Sequence, residues 1–338
     1  MKHSVNTEPS TMTTIPPNQG ASERIGMLVV KTANQWIDEA SRRPRPRDLF
    51  NSLIYEGDTT IVFAETGAGK SMLAVQFGED IARNETVVYV DCELSDMQFY
   101  SRYVAKDGTR YQFSNNLLRI EIDSLVESPA GMNEETHLIK SLEDTVISTG
   151  AKVVIIDNLT FLKNDTEKAA EALSVMRELK KLKMKHGLTV VVLAHTPKKP
   201  NTRPLTINDL AGSRHLANAC DAMFAIGIGT TDPAIRYLRQ FKSRYDEIIY
   251  TSENVIVYQL ERRNDGFTGF TFLEYGNELN YIKEVSIMDK KERDEQVLVL
   301  HRAGHSNRAI GKELNISPMT VGRILERNGC YTVTHINN

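Results

Sequence analysis

Between about residues 58 and 283, short apolar runs alternate with longer segments whose hydrophobic positions recur at helical spacing. Several runs are hydrophobic at every position, which is typical of strands covered on both faces of a sheet. The predicted strands are Thr60–Phe63, Val87–Asp91, Val153–Asp157, Val190–Ala194, Met223–Ile226 and Val255–Gln259. Predicted helices between them include Ser71–Arg83 and Glu167–His186. Strands that alternate with helices predict an α/β fold with a mostly parallel sheet.

The two ends of the chain depart from this pattern. Residues 1–22 are rich in Ser, Thr, Asn and Pro, and we expect them to form a flexible tail. Prolines interrupt the basic stretch Arg42–Arg47, which predicts a linker or an extended arm. After about Lys283 the strand pattern stops, and the charged run 290–295 predicts a hinge. The expected division is a core domain at 23–283, a charged linker at 284–292 and a small all-α domain at 293–330.

Residues 293–330 have the apolar spacing of three short helices. Ser306 or Asn307 is expected to cap the second helix and Ser317 the third, which begins with Pro318. Five Lys and Arg residues against two Glu give residues 296–328 a charge of +3. This spacing resembles the helix-turn-helix modules that end site-specific recombinases, and the resemblance implies binding to duplex DNA. A helical lid or a protein-interaction bundle is the alternative. The recognition-helix candidates are Ser317, Met319, Thr320, Arg323 and Arg327.

The composition is that of an ordinary soluble globular protein. Of the 338 residues, 41% are hydrophobic and 25% charged, and the net charge of −3 means that any contact with nucleic acid must come from local basic patches. The three cysteines show no metal-binding spacing and are expected to be reduced thiols, as in the cytoplasm. No apolar run approaches the roughly 20 residues of a membrane span, and the polar start has no signal-peptide core. We therefore expect a cytoplasmic protein without membrane insertion or secretion.

The segment Ala64–Ser71, with the sequence AETGAGKS, lies between a predicted strand and a predicted helix, which is the context of a Walker A phosphate loop. Its glycines let backbone N–H groups turn toward an anion, and the helix N-terminus adds its positive end. The expected nucleotide-binding residues are Thr66, Gly67, Ala68, Gly69, Lys70 and Ser71. Ala64 replaces the first glycine of the motif, a small departure. The alternative is a glycine-rich turn that ends in Lys-Ser by chance.

Acidic and polar residues follow three of the predicted strands. Asp157 ends a solidly apolar strand, the Walker B arrangement, and is expected to ligate Mg²⁺ together with Ser71. An amide, Asn158, follows Asp157, so the general base must come from elsewhere. Glu93 is the best candidate, since strand ends gather at one edge of a parallel sheet, with Asp91 as the fallback and a solvated loop residue as the alternative. His195 ends a third strand and is expected to contact the γ-phosphate of ATP.

These motifs together resemble the RecA-like ATPases, in the branch that contains RepA-type plasmid replicative helicases, DnaB-like helicases and KaiC-like proteins. The resemblance rests on AETGAGKS, the strand ending in Glu93, VVIID, VVVLAHTPKK and the segment Asp209–Asp221. It implies a RecA-like ATPase domain in a homo-oligomer, such as a hexameric ring or a filament, with ATP at the subunit interfaces. A neighbouring subunit would then donate Lys242 and Arg244 to the γ-phosphate, with Arg214 a weaker candidate. Pairing of these cations with Asp246 or Glu247 is the alternative.

In the resembled family, loops after the Walker B strand and after the His195 strand face a central channel and touch single-stranded DNA. Here these are Thr160–Thr166 and Pro197–Leu210, and the second carries Lys198, Lys199 and Arg203. An ordinary basic surface loop is the alternative. No amino-terminal primase domain of the DnaB kind is visible, which favours the RepA-type layout.

Two functions follow from the sequence. The first is an Mg²⁺-dependent ATPase acting on DNA as a RepA-type replicative helicase or translocase of a plasmid or mobile element. The second is an ATP-gated DNA-binding regulator or adaptor without unwinding activity.

Overall fold

The computed structural model describes residues 23–329 except 124, 159–167, 197–202, 211–212, 231, 283–286 and 315–317. Within this range, the side chains of Glu23 and of 168–172, 213–215, 287–290, 319–320 and 323 are not described. The chain divides into two compact units, the first ending at Pro46 and the second beginning at Arg47. The core domain was predicted to begin earlier, at residue 23.

The first unit contains a small hairpin and one helix. Strands β1 (Glu23–Ile25) and β2 (Leu28–Val30) pair antiparallel, and α1 spans Ala33–Ser41. Thr32 begins the helix with a capping box, in which its hydroxyl and the side chain of Gln35 each accept a bond from the other residue's backbone N–H. No residue of α1 is buried within the described structure.

The second unit is built on one nine-stranded sheet. Before it comes a short hairpin of β3 (Asp48–Phe50) and β4 (Ile54–Tyr55). The sheet strands are β5 (Thr59–Ala64), β6 (Val87–Asp91), β7 (Leu117–Glu121), β8 (Val153–Asp157), β9 (Thr189–His195), β10 (Ala222–Ile228), β11 (Ile235–Lys242), β12 (Val255–Arg262) and β13 (Thr268–Gly276). Their order is β13-β12-β11-β10-β5-β9-β8-β6-β7. The strands from β10 to β7 run parallel, and β11, β12 and β13 extend one side antiparallel.

Helices cover both faces of this sheet. The helices are α2 (Lys70–Ala82), α3 (Asp96–Arg102), α4 (Glu134–Thr149), α5 (Lys168–His186) and α6 (Ser213–Ala219). One hydrophobic core lies between the sheet and α2, with Leu73 and Phe77 fully buried. The other lies between the sheet and α4, α5 and α6, with Leu142, Leu179 and Leu216 buried. The predicted α/β fold with a mostly parallel sheet is therefore confirmed.

The register of the parallel strands brings their carboxyl ends to one edge. Ala64 at the end of β5 lies opposite His195 at the end of β9, and Asp91 at the end of β6 lies opposite Asp157 at the end of β8. Loops that follow these strands therefore begin side by side, at the edge where ligands bind in parallel sheets.

All six predicted strands form, whereas β7, β11 and β13 of the sheet were not predicted. Strand β11 reads IRYLRQFK, so its charged residues break the apolar run that identified the others. Strand β13 is the outermost strand, and Phe272–Tyr275 are exposed, so its pattern lacks the burial of a central strand. Of the three antiparallel strands, β12 alone was therefore predicted.

Three helices close the described chain: α7 (Ile287–Arg302), α8 (Asn307–Glu313) and α9 (Pro318–Arg327). They share a core of apolar residues, in agreement with the helical apolar spacing of this region: Val297, Leu298, Leu300, Ile310, Leu314, Val321, Ile324 and Leu325. Ser306 caps α8, accepting a bond from the Ala309 N–H at 3.2 Å. Helix α7 begins inside the segment expected to be a linker and runs through the charged run 290–295, so the predicted hinge there is wrong. Its alternating charges are compatible with an exposed helical face.

Candidate functional site

The phosphate loop connects β5 to α2. Gly67 and Gly69 adopt positive φ angles of 83° and 96°, a conformation that L side chains rarely adopt. Gly69 is the N-cap of α2 and provides no side-chain bond to the first N–H groups of the helix. Those N–H groups and the helix dipole are therefore available to an anion.

Lys70 folds back over the loop. Its ammonium donates to the carbonyl oxygens of Ala64 at 2.9 Å and Glu65 at 3.1 Å, and it lies 3.1 Å from His195 Nδ1. The residue is 5% exposed, and burial lowers the pKa of Lys70 to about 8. A buried cation whose direct contacts are two carbonyl oxygens and an imidazole is a strong site for a phosphate anion.

His195 connects Lys70 to Glu93. Because an ammonium can only donate, Nδ1 of His195 accepts from Lys70, and in the neutral ring Nε2 then carries the proton. Nε2 lies 2.9 Å from Glu93 Oε1 and donates to it. The Asn158 amide nitrogen also donates to Glu93 Oε1 and lies 2.8 Å from Nε2. Three strand ends thus meet in one polar cluster, which the strand-end argument predicted for Glu93 and His195.

Glu93 is held in its ionised form. The hydrogen bond from His195, supported by the positive charge of Lys70, holds the pKa of Glu93 below its ordinary value. The fallback base, Asp91, is occupied instead: one oxygen accepts the N–H groups of Glu93 and Leu94, and the other accepts from Arg119 at 2.9 Å. Asp91 therefore shapes the loop that carries Glu93, and it is not placed to act as a base.

Asp157 lies beside Ser71 at the end of the phosphate loop. Burial raises the pKa of Asp157, while hydrogen bonding with Ser71 and Tyr89 lowers it. The Tyr89 hydroxyl donates to Oδ2 at 2.6 Å. The other oxygen, Oδ1, is buried and has no hydrogen-bond partner among the described residues. A buried carboxylate oxygen left without a donor beside a serine hydroxyl fits a Mg²⁺ site.

Lys242 and Arg244 lie at the other end of the sheet, because β11 runs antiparallel away from the phosphate loop. Lys242 donates to the carbonyls of Ala217 and Cys220 at 2.5 and 2.6 Å, closing the end of α6. Arg244 pairs with Asp221 at 3.0 Å, rather than with Asp246 or Glu247. Within one chain neither reaches the phosphate loop, so their predicted donation to a neighbouring subunit stays a prediction. The side chain of Arg214 is outside the described structure.

The structure places two of the predicted DNA-contacting residues. Arg203 makes two bonds to Asp209, whose carboxylate also accepts from the Thr206 N–H, so Arg203 fixes the shape of its own loop. Arg327 pairs with Asp294 between α9 and α7. Lys198, Lys199 and Ser317 are outside the described residues, as are the side chains of Met319, Thr320 and Arg323.

Sequence reasoning missed several residues that shape the site. Tyr89 and Arg119 lie on β6 and β7 and orient Asp157 and Asp91, and Arg236 on β11 contacts the phosphate loop. Asn158 was identified from the sequence only as the amide that follows Asp157 at the position where a general base could lie, and not as a hydrogen-bond partner of Glu93. No spacing in the chain signals these contacts, since Arg236 is 168 residues from Ala68.

Three observations concern the rest of the described structure. Among the described helices, none combines the length and hydrophobicity needed to cross a membrane. Clusters of three or more His, Cys, Asp or Glu side chains able to bind a metal by themselves are absent from the described residues. Cys92 and Cys220 are both free thiols.

The α/β fold, the phosphate loop and the acids at the neighbouring strand ends define a P-loop ATPase. Residues 29–201 match the family described as an AAA domain (AAA_25), and the chain belongs to that family. No curated protein matches the chain. Among solved structures, a KaiC-like protein from the hyperthermophilic archaeon Pyrococcus horikoshii OT3 is similar, with 16% identity and a TM-score of 0.45 over 66% of this chain and 94% of that one.

Proposed function

We propose that this chain hydrolyses ATP with Mg²⁺ and uses the cycle to act on DNA, as a RepA-type replicative helicase or translocase of a plasmid or mobile element. The observation that carries the catalytic part is the connection Lys70–His195–Glu93, in which the candidate base lies on the same polar chain as the phosphate-binding lysine.

In this mechanism, Lys70 and the N–H groups from Gly67 to Ser71 bind the β- and γ-phosphates. Ser71 and Asp157 would hold Mg²⁺, which supplies positive charge to the phosphate oxygens. Glu93 accepts a proton from the water that attacks the γ-phosphorus, as its ionised state at neutral pH allows. Tyr89 and Asn158 keep Asp157 and Glu93 in position.

His195 couples binding of the γ-phosphate to the position and hydrogen bonding of Glu93. When ATP binds, its phosphate oxygens compete for the Lys70 ammonium, which then no longer bonds Nδ1 of His195. The imidazole can donate from Nδ1 to the phosphate only after gaining a proton or moving its proton from Nε2. Either change alters its bond to Glu93, so the base responds to the phosphate.

Action on DNA is proposed from the resemblance and from basic residues around the ATPase core. Lys198 and Lys199 would track the DNA backbone, and Lys242 and Arg244 would complete the ATP site of the neighbouring subunit of a homo-oligomer. Their position at the sheet edge away from their own phosphate loop supports a role across subunits.

The alternative is an ATP-gated regulator, and one observation favours it. Helices α7–α9 enclose a hydrophobic core of their own, which is the organisation of a separate module that could choose a DNA site. In this alternative, the charged positions of α9, Arg323 and Arg327, would contact duplex DNA, and Arg327 would have to release Asp294.

The steady-state ATPase rate with and without single-stranded DNA tests the proposal, using the full chain and a Lys70→Ala control. A large stimulation by DNA supports the motor. A slow rate indifferent to DNA, together with binding to one duplex sequence that is lost when residues 287–338 are deleted, supports the regulator. Absence of Lys70-dependent hydrolysis under both conditions contradicts the proposed function.

A further inference from the structure

Arg236 on β11 is buried against the phosphate loop, and none of the hydrogen bonds that the structure describes for it goes to a carboxylate. It is 6% exposed, and burial lowers the pKa of its guanidinium. Its described hydrogen bonds all go to main-chain carbonyls: Nε donates to Ala68 at 2.8 Å, Nη2 to Gly67 at 3.4 Å, and Nη1 to Pro233 and Ile235 at 2.5 and 2.9 Å. A guanidinium buried without a salt bridge costs stability, so its contacts call for an explanation.

We propose that Arg236 is a positioning residue for nucleotide binding, because it fixes the peptide plane between Ala68 and Gly69. A trans peptide is planar, with its C=O and N–H pointing in opposite directions. Since Arg236 holds the Ala68 carbonyl toward β11, the Gly69 N–H must point the other way, to the side where the phosphates bind. This inference rests on the proposed function.

The loop needs such a contact because Gly69 leaves the Ala68–Gly69 peptide free to rotate. Gly69 can adopt most backbone angles, so a flip of the Ala68–Gly69 peptide would meet little steric resistance from its own side chain. A flipped peptide would direct a carbonyl oxygen at the phosphates and bury its N–H. The Ala68 N–H cannot prevent this, since it belongs to the preceding peptide and is bonded to the Glu65 carbonyl at 3.2 Å.

Strand β13 supports the same loop from another side. A Cβ placed on Gly69 would lie 3.0 Å from the ring of Phe270, and the backbone of Phe270 is bonded to Gln76 of α2 in both directions, at 2.6 and 2.9 Å. Both Arg236 and Phe270 lie outside the matched residues 29–201. The antiparallel strands that follow the family match therefore complete the nucleotide site.

The test compares Arg236→Met with Gln240→Met on the full chain. Gln240 is a matched control, because it is also buried on β11 and bonds main-chain groups, at Ser52, Ile249 and Tyr250, but does not touch the phosphate loop. We expect Arg236→Met to raise the Kd for ATP and ADP at least about tenfold, as the loss of a charge-assisted hydrogen bond predicts, with kcat at saturation within about twofold. Arg236→Lys, which keeps a charged donor, should recover most of the affinity.

If Arg236→Met does not fold, Arg236→Gln provides the same comparison, since its amide is too short to reach the Ala68 carbonyl. Wild-type affinity in the Met or Gln variant overturns the inference. So does an equal loss of affinity in Gln240→Met, which would indicate general destabilisation, or a loss confined to kcat. Failure of the unmodified chain to bind nucleotide would instead refute the proposed function itself.

Discussion

Replacing Glu93 by glutamine tests whether this carboxylate is the general base. The substitution keeps the size of the side chain and an oxygen that can accept from His195 Nε2, now 2.9 Å from the carboxylate. What it removes is the negative charge that receives the proton, and the lowered pKa of Glu93 means that this charge is present at neutral pH. The substitution therefore separates proton transfer from the geometry of the site.

General bases contribute about 10²–10⁴-fold to rate, so we expect kcat to fall by that factor, or about 2.7–5.5 kcal/mol in the barrier. Affinity for ATP should change by less than about fivefold, because Glu93 is partly exposed and acts on Lys70 only through His195 and its field. Single-turnover hydrolysis measures the first quantity, and equilibrium titration with a fluorescent nucleotide measures the second.

Glu121→Gln is the matched control. Glu121 is an exposed carboxylate at the same sheet edge, directly opposite Asp91, and it pairs with Arg119 rather than with His195 or Lys70. Removing its charge should leave both quantities close to those of the unmodified chain. If Glu93→Gln hydrolyses ATP as fast as the unmodified protein, the assignment of the base is wrong. If kcat falls by the same factor in both variants, the effect comes from the local electrostatic field and not from proton transfer.

Three further predictions follow. Lys70→Ala should weaken ATP binding at least about tenfold, because it removes the buried cation of the loop, and unchanged affinity by titration would contradict the phosphate-binding role. Chains carrying Arg244→Ala should lack activity alone but regain part of it when mixed with Lys70→Ala chains, because mixed interfaces pair an intact Lys70 with an intact Arg244; an unchanged rate on mixing would exclude donation across subunits. Burial raises the pKa of Asp58 to about 6, so the native state keeps a proton that the unfolded chain releases near 3.8, and this stabilisation is lost as pH rises through 6. The free energy of unfolding of Asp58→Asn should therefore equal that of the unmodified chain near pH 4. At pH 8 it should be higher by about 1 kcal/mol, after allowing for the partial exposure of Asp58. Urea unfolding curves that show no pH-dependent difference between the two proteins would refute this.

The central strands could be predicted because each is buried on both faces, and burial leaves a direct trace in the sequence as an unbroken apolar run. The same reasoning placed Asp157, His195 and Glu93 at one edge, since parallel strands end together. Strand β11 left no such trace. Its residues Arg236 and Arg239 donate hydrogen bonds to the main-chain carbonyls of Ala68 and Leu205, so the charged residues of this strand reflect contacts that are distant in sequence. Hydrogen bonds of this kind form only in the assembled sheet, so the local pattern of apolar and polar residues cannot predict them.

The fate of Arg203 shows a second limit. A basic residue in a loop after a strand suggests contact with phosphate, yet Arg203 is engaged by Asp209, six residues along. The acid is close to Arg203 in sequence, but the turn that brings the two side chains together also involves two other residues. The Thr206 N–H donates to Asp209, and the N–H and carbonyl of Leu205 are bonded by Glu278 and Arg239. The surroundings of this pair therefore include Arg239 of β11 and Glu278 after β13, which are distant from the loop in sequence.

The position of the catalytic cluster along the chain bears on how the cycle could reach DNA. Asn158 ends the described part of the chain after β8, and His195 is followed after one residue by the segment that carries Lys198 and Lys199. Both side chains contact Glu93, and His195 also contacts Lys70. In the proposed cycle, a γ-phosphate that withdraws Lys70 from His195 would therefore act on residues that lie two positions before each of the two segments proposed to face DNA. Because hydrolysis removes that phosphate, the same bonds would re-form after each turnover, and the coupling requires no path longer than the two strand ends.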